Sequence, residues 1–282
     1  IGCTSIEHIT IPSTIKEISE LTISTFNRII DTSKNEPLFG NCFLDLDQFE
    51  QIKLIMKNDL SKIFEVVKKD TRKKYSARVS NIDMNQFTEN EMIAIANEMK
   101  SISRISHPCI LQFVGFSPKS FKNEPKPVIV NKLIKTKTLK EILSTVQQKG
   151  FVAGFDSTTK LKIIYGIASA IDRLHNDDIL HRNLTPSNIL LTKSFNPKIS
   201  EFGLCTHLLI KSSVTFQSTR QFNGSPTYSA PEILNSSENT KKSDVYSFGL
   251  IVYEILTGEK PFNKIKSFSQ FYEAVMRGYR PE

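Results

Sequence analysis

The run His181-Arg182-Asn183-Leu184-Thr185-Pro186-Ser187-Asn188 decides how this chain is read, because three further signatures follow it in order: Glu201-Phe202-Gly203, Ala230-Pro231-Glu232 and Asp244-Val245-Tyr246-Ser247-Phe248-Gly249. Upstream of it the pattern is strand-rich. Segments 63–67 and 75–79 read as strands flanking a basic turn, and Val128-Ile129-Val130 reads as another. Between them a helix is predicted near 88–105, where Met92, Ile95, Met99 and Ile102 recur at three- and four-residue steps. From there on helices dominate. Residues 160–175 place Leu161, Ile164, Ala168 and Ile171 on one face, and 243–256 is apolar almost all round and so is expected to be buried. Strands first and helices afterwards predict an α+β fold with a functional cleft between two lobes.

Bulk properties set outer bounds. The 282 residues, 39% apolar and 23% charged, suit a globular protein of one large domain or two lobes. No uninterrupted apolar run approaches the ~18 residues that span a bilayer. The nearest, at Leu250-Ile251-Val252, is cut by Glu254. Ile1 opens neither a basic nor an apolar leader, so no signal peptide is visible. The chain also opens in mid-pattern, which reads as a piece of a longer protein. Cys3, Cys42, Cys109 and Cys205 are widely separated and form no CxxC pair, which argues against a zinc site or disulfide framework and for a cytoplasmic protein. The net charge of +8 comes from 37 basic and 29 acidic side chains. Its densest cluster, Lys68, Lys69, Arg72, Lys73 and Lys74, reads as a solvated hairpin tip, so no nucleic-acid partner is expected.

The first 34 residues have a rhythm of their own. Ile6, Ile9 and Ile11 precede Pro12, and Ile15, Ile18 and Leu21 follow it. The phrasing CTSIEHITIPSTIKEI (residues 3–18) resembles a leucine-rich repeat of the BspA-like type. A single rung cannot bury its apolar face without neighbours, so the resemblance implies further repeats upstream. The alternative is an amphipathic leader packed on the body. Residues 35–47, with Glu36-Pro37 and Gly40-Asn41, read as a linker.

The four signatures, with GSPTYSAPEIL at 224–234 and SDVYSFGLIVYEILTGEKPF at 243–262, resemble eukaryotic protein kinases of the tyrosine-kinase-like or serine/threonine type over residues 48–282. The resemblance implies a bilobal fold, with a β-rich N-lobe at 48–134 and an α-rich C-lobe at 135–282 that is incomplete at its C-terminus. It also implies ATP and Mg²⁺ as cofactors and a site at the following positions. Three loop glycines would cradle the phosphates, yet none lies between Gly40 and Gly115, and Met56, Asn58 and Ser61 take their places. Arg78 replaces the nucleotide lysine and is expected to pair with Glu98, although its planar fork is a poor substitute for a compact ammonium. Asn131 and Leu133 stand at the gatekeeper and hinge, with Lys132 and Ile134 beside them. Asn183 replaces the catalytic aspartate, and a carboxamide cannot serve as general base. Thr185 replaces a phosphate-neutralising lysine, while Asn188 is retained as a Mg²⁺ ligand. Glu201 replaces the metal-binding aspartate with an arm one methylene longer.

Structural positions fare better. His181 and Phe202 match an internal spine, Asp244 the anchor of the catalytic loop, and Glu232 a buried carboxylate whose arginine partner would lie beyond Glu282. The segment 201–232 carries Ser212, Ser213, Thr215, Ser218 and Thr219, and Arg182 stands ready as a phosphate receiver. The resulting expectation is a pseudokinase: an interaction, scaffold or allosteric module serving a protein partner, with weak or no phosphoryl transfer. The alternatives are an ATP-dependent Ser/Thr-type kinase with atypical catalytic residues and a nucleotide sensor that binds ATP without transferring phosphate.

Overall fold

The computed structural model describes residues 42–57, 61–202, 226–236 and 239–281. The repeat-like segment 1–34, most of the linker, Asn58, Gly203, Cys205 and the hydroxyl-rich stretch Ser212 to Thr219 lie outside them.

Strands β1 (Phe49–Lys57), β2 (Ser61–Lys68), β3 (Lys74–Ser80), β4 (Phe113–Ser117) and β5 (Val128–Lys132) form an antiparallel sheet in the order β1-β2-β3-β5-β4. The basic tip is the β2–β3 turn, closed by a hydrogen bond from the Lys68 amide to the Lys73 carbonyl at 2.9 Å, with Arg72 at a φ of 54°. Its charges are partly answered locally: Lys68 meets Asp70 at 3.2 Å and Lys74 meets buried Glu65 at 2.8 Å. Helix α1 (Glu89–Ser103) starts at Thr88, whose side chain and that of Glu91 satisfy each other's backbone amides in a capping box. Met92, Ile95, Met99 and Ile102 are all buried, as their spacing requires.

Beyond β5 the chain is helical, with α2 (Leu139–Lys149), α3 (Ser157–Asn176), α4 (Pro231–Ser236), α5 (Lys241–Thr257) and α6 (Phe268–Met276). A small sheet, β6 (Lys137–Thr138), β7 (Ile189–Leu191) and β8 (Pro197–Ile199), lies where this lobe faces the cleft.

Helix α3 corrects the sequence reading by a rotation about its own axis. Leu161 is 63% exposed, and the buried face is instead Ile163, Gly166, Ile167, Ala170, Ile171 and Leu174. Both sets step by three and four, so spacing alone does not separate them; Ile171 is common to both. Gly166 marks the true face. A Cβ built there would lie 2.6 Å from Pro197 Cγ and 3.0 Å from Cys109 Sγ. Alanine is the better helix former by ~1 kcal/mol, but the rigid proline ring cannot move aside cheaply. Gly166→Ala is therefore expected to lower stability by about 1–3 kcal/mol in a urea titration. An unchanged or raised midpoint would show that β8 yields.

Helix α5 is less enclosed than its composition implies. Asp244, Ser247, Leu250, Ile251, Glu254 and Ile255 are buried, while Val245 and Leu256 face solvent. Buried Glu254 accepts a short hydrogen bond from the Tyr228 hydroxyl, and burial pushes its carboxyl upward. Glu232, expected to be buried, is exposed at the start of α4. A carboxylate in a first helical turn is stabilised there by unsatisfied amides without enclosure.

Candidate functional site

A cleft of about 350 Å³ opens between the lobes. Ile63 of β2 and Leu190 of β7 come from opposite lobes, and Met99, Ile102, Phe113 and Ile129 close the back. Its outer rim is the strand exit at Asn131, Lys132, Leu133 and Ile134. Past the end of β5, the backbone groups of Ile134 take no hydrogen-bond partner among the described residues, which leaves an open donor–acceptor edge. Met56 of β1 also lines the cleft, whereas Ser61 accepts a hydrogen bond from Arg78 Nε at 2.9 Å.

The 181–188 loop is fixed from behind by Asp244 of α5. Its Oδ2 accepts from the His181 amide at 2.8 Å and sits 2.9 Å from His175 Nε2, while its Oδ1 accepts from the Arg182 amide at 2.8 Å. His181 is fully buried, its ring centroid 6.3 Å from that of Phe202, and burial pushes its imidazole downward against the opposing pull of Asp244. Asn188 ties the loop to itself: Nδ2 donates to the Asn183 carbonyl at 2.8 Å, and the backbone amide donates to the Thr185 carbonyl at 3.0 Å. Its Oδ1 accepts nothing among the described residues and stays available. Thr185 is buried, and the carboxamide of Asn183 makes no protein hydrogen bond among the described residues.

The charged residues pair differently from the sequence expectation. Arg78 does not meet Glu98. Its Nη1 lies 2.8 Å from Glu201 Oε2, and Glu98 Oε1 lies 3.5 Å from Arg182 Nη1. Both pairs cross between lobes, β3 to the segment just after β8 and α1 to the 181–188 loop. Arg182 and Glu201 each take a left-handed backbone, at φ 66° and 63°. A non-glycine residue held there costs on the order of 1 kcal/mol and persists only under surrounding constraint. Sequence spacing put Glu98 on the right helix face, but nothing linear signals which cation reaches it. The extra methylene of Glu201 and the long fork of Arg78 let those two meet instead.

Glu98 is left in a poor position. Its Oε2 is buried without a hydrogen-bond partner among the described residues, and burial pushes its carboxyl above the ordinary 4.5 despite Arg182. A carboxyl raised on folding supports the fold while protonated, and that support disappears as pH climbs through its folded pKa. Glu98→Gln is uncharged throughout, so its melting temperature relative to the parent is expected to rise between pH 4 and pH 7. At neutral pH the gain should be on the order of 1 kcal/mol, or about 2–4 °C. A flat difference across that range would mean Arg182 fully compensates the charge.

A base and sugar fit the apolar slot and its open backbone edge. A divalent metal fits poorly: Glu201 is held by Arg78 at 2.8 Å, and Asn188 offers one neutral amide oxygen.

The protein kinase domain family matches residues 49–280. The chain is 30% identical over 249 residues to the Dictyostelium discoideum serine/threonine-protein kinase samkB, covering 85% of this chain and 40% of that protein. Similarity of 32% over 198 residues links it to a mimivirus protein named as a serine/threonine-protein kinase/receptor, covering 70% of this chain and 11% of that one. Bovine serine/threonine-protein kinase 33 is 27% identical over 235 residues, 80% of this chain and 45% of its own. The chain thus spans less than half the length of each of these relatives.

Proposed function

The chain belongs to the protein kinase family, and on that premise we propose that it works as a pseudokinase, a cytoplasmic signalling module of tyrosine-kinase-like character that engages a protein partner with weak or no phosphoryl transfer. The observation that carries this reading is the 2.8 Å pair between Arg78 and Glu201. One contact removes both the cation meant for the nucleotide and the carboxylate meant for the metal. Asn183 adds a second loss, since its amide has no basicity with which to take a hydroxyl proton. Met56 stands where a loop glycine would let backbone amides approach phosphate.

On this reading the retained shape is the working part. Asp244 and the His181–Phe202 contact fix the 181–188 loop on its lobe, and the Arg78–Glu201 and Glu98–Arg182 pairs tie the two lobes. Together they give a partner a defined surface, while the repeat-like segment 1–34 would couple it to neighbouring repeats. The competing reading, an ATP-dependent kinase acting on protein serine or threonine hydroxyls with Arg78, Asn188 and Glu201 in atypical roles, draws on the open cleft and the free Asn188 Oδ1. Radiolabelled phosphate incorporation separates the two. With Mg-ATP and a generic protein substrate, the chain is expected to stay at background. Robust incorporation that Asn183→Ala abolishes would establish the kinase instead.

A further inference from the structure

The charges lining the cleft among the described residues are Arg78, Lys132, Glu141 and Glu201, two of each sign. Arg78 and Glu201 already satisfy one another at 2.8 Å, and Lys132 and Glu141 stand at the rim. A polyanionic phosphate tail entering here meets no net countercharge. To reach the Arg78 guanidinium it must first displace a carboxylate, and then lie against that carboxylate. The remaining lining is mainly aliphatic and aromatic, and its volume of about 350 Å³ sits at the small end of ligand sites.

From these observations we infer that the cleft takes an uncharged, planar heteroaromatic ligand of nucleoside size, without a divalent metal, in place of a nucleoside triphosphate. The inference rests on the pseudokinase reading and names the ligand class of that same cleft. The apolar walls contributed by Ile63, Ile129 and Leu190 cover the ring faces, and the unpartnered backbone groups of Ile134 meet the polar ring edge. The Arg78–Glu201 pair closes the inner end and remains intact in the bound state. This differs from an empty scaffold, which would bind nothing, and from a nucleotide sensor, which would hold the phosphates.

Isothermal titration of the whole chain with adenosine, ATP in EDTA, and ATP with excess MgCl₂ tests it. Adenosine is expected to bind at least as tightly as either form of ATP, and Mg²⁺ is expected to change the ATP dissociation constant by less than about threefold. Glu201→Asp shortens the carboxylate arm, frees it from Arg78 and offers it to metal. Mg-ATP should then bind about tenfold or more tighter than it does to the parent. Folding of the variant is checked by its circular dichroism and its cooperative thermal transition. A parent chain that binds Mg-ATP about tenfold more tightly than adenosine overturns the inference, as does a folded chain that binds none of the three probes. In that last case, absence of phosphate transfer still leaves the pseudokinase reading standing. Phosphate transfer would remove that reading, whatever adenosine does.

Discussion

Asn183→Asp alone is expected to raise phosphate transfer by less than about tenfold, whereas Arg78→Lys, Asn183→Asp and Glu201→Asp together raise it by about 10²–10³. A restored base contributes 10²–10⁴ only when a phosphoryl group already lies in line with the acceptor, and a misplacement of about an ångström costs ~100-fold by itself. With Glu201 held against Arg78, no metal sets that line. Residues that act as one unit give strongly non-additive effects, so the single reversion reports almost nothing and the triple reports the unit. Full recovery is not expected, because Met56 and Ser61 still replace loop glycines. The measurement is initial-rate incorporation at saturating Mg-ATP for the parent, the single and the triple. A single reversion as active as the triple would show that the Arg78–Glu201 contact opens freely in solution.

Asp244→Ala is expected to lower stability by about 3–5 kcal/mol, the largest effect of any single substitution considered for this chain. Asp244 is buried and receives the amides of His181 and Arg182 while contacting His175 Nε2. Alanine removes all three contacts at once, and leaves two amides in the interior without acceptors. For a chain of this size the melting temperature should fall by about 6–20 °C. Asp244→Asn, which keeps one acceptor oxygen, should recover part of that loss. A fall under ~1 kcal/mol would mean that water replaces the carboxylate and the loop is not held from α5.

The sequence already made much of the architecture legible, for identifiable reasons. Helix α1 combines a capping box at Thr88 with four apolar residues in phase, so propensity, cap and pattern agree. The β2–β3 hairpin carries Ile63, Val66 and Val67 before its polar turn and Tyr75 and Val79 after it, and its strands exceed the expected 63–67 and 75–79 only by end residues. Helix α3 exposed the limit of that logic. Leu161 and Tyr165 are apolar yet face solvent, and only the three-dimensional approach of Pro197 to Gly166 distinguishes the inner face. The site was legible as a set of positions but not as a set of pairs. Arg78, Glu98, Arg182 and Glu201 can be joined in two ways with equal charge, and side-chain reach decides between them. Glu232 failed for a related reason: a motif assigns the residue its place but does not fix its burial.

The two cross-lobe ion pairs run in opposite electrical sense. Arg78 above faces Glu201 below, and Glu98 above faces Arg182 below. Any rocking that parts the lobes must rehydrate all four groups, and any shear of one lobe past the other brings like charges toward each other. Both soft movements of a jaw are therefore resisted by the same four side chains. Such a body behaves as a stiff wedge, whose mouth keeps its width for as long as both clasps hold.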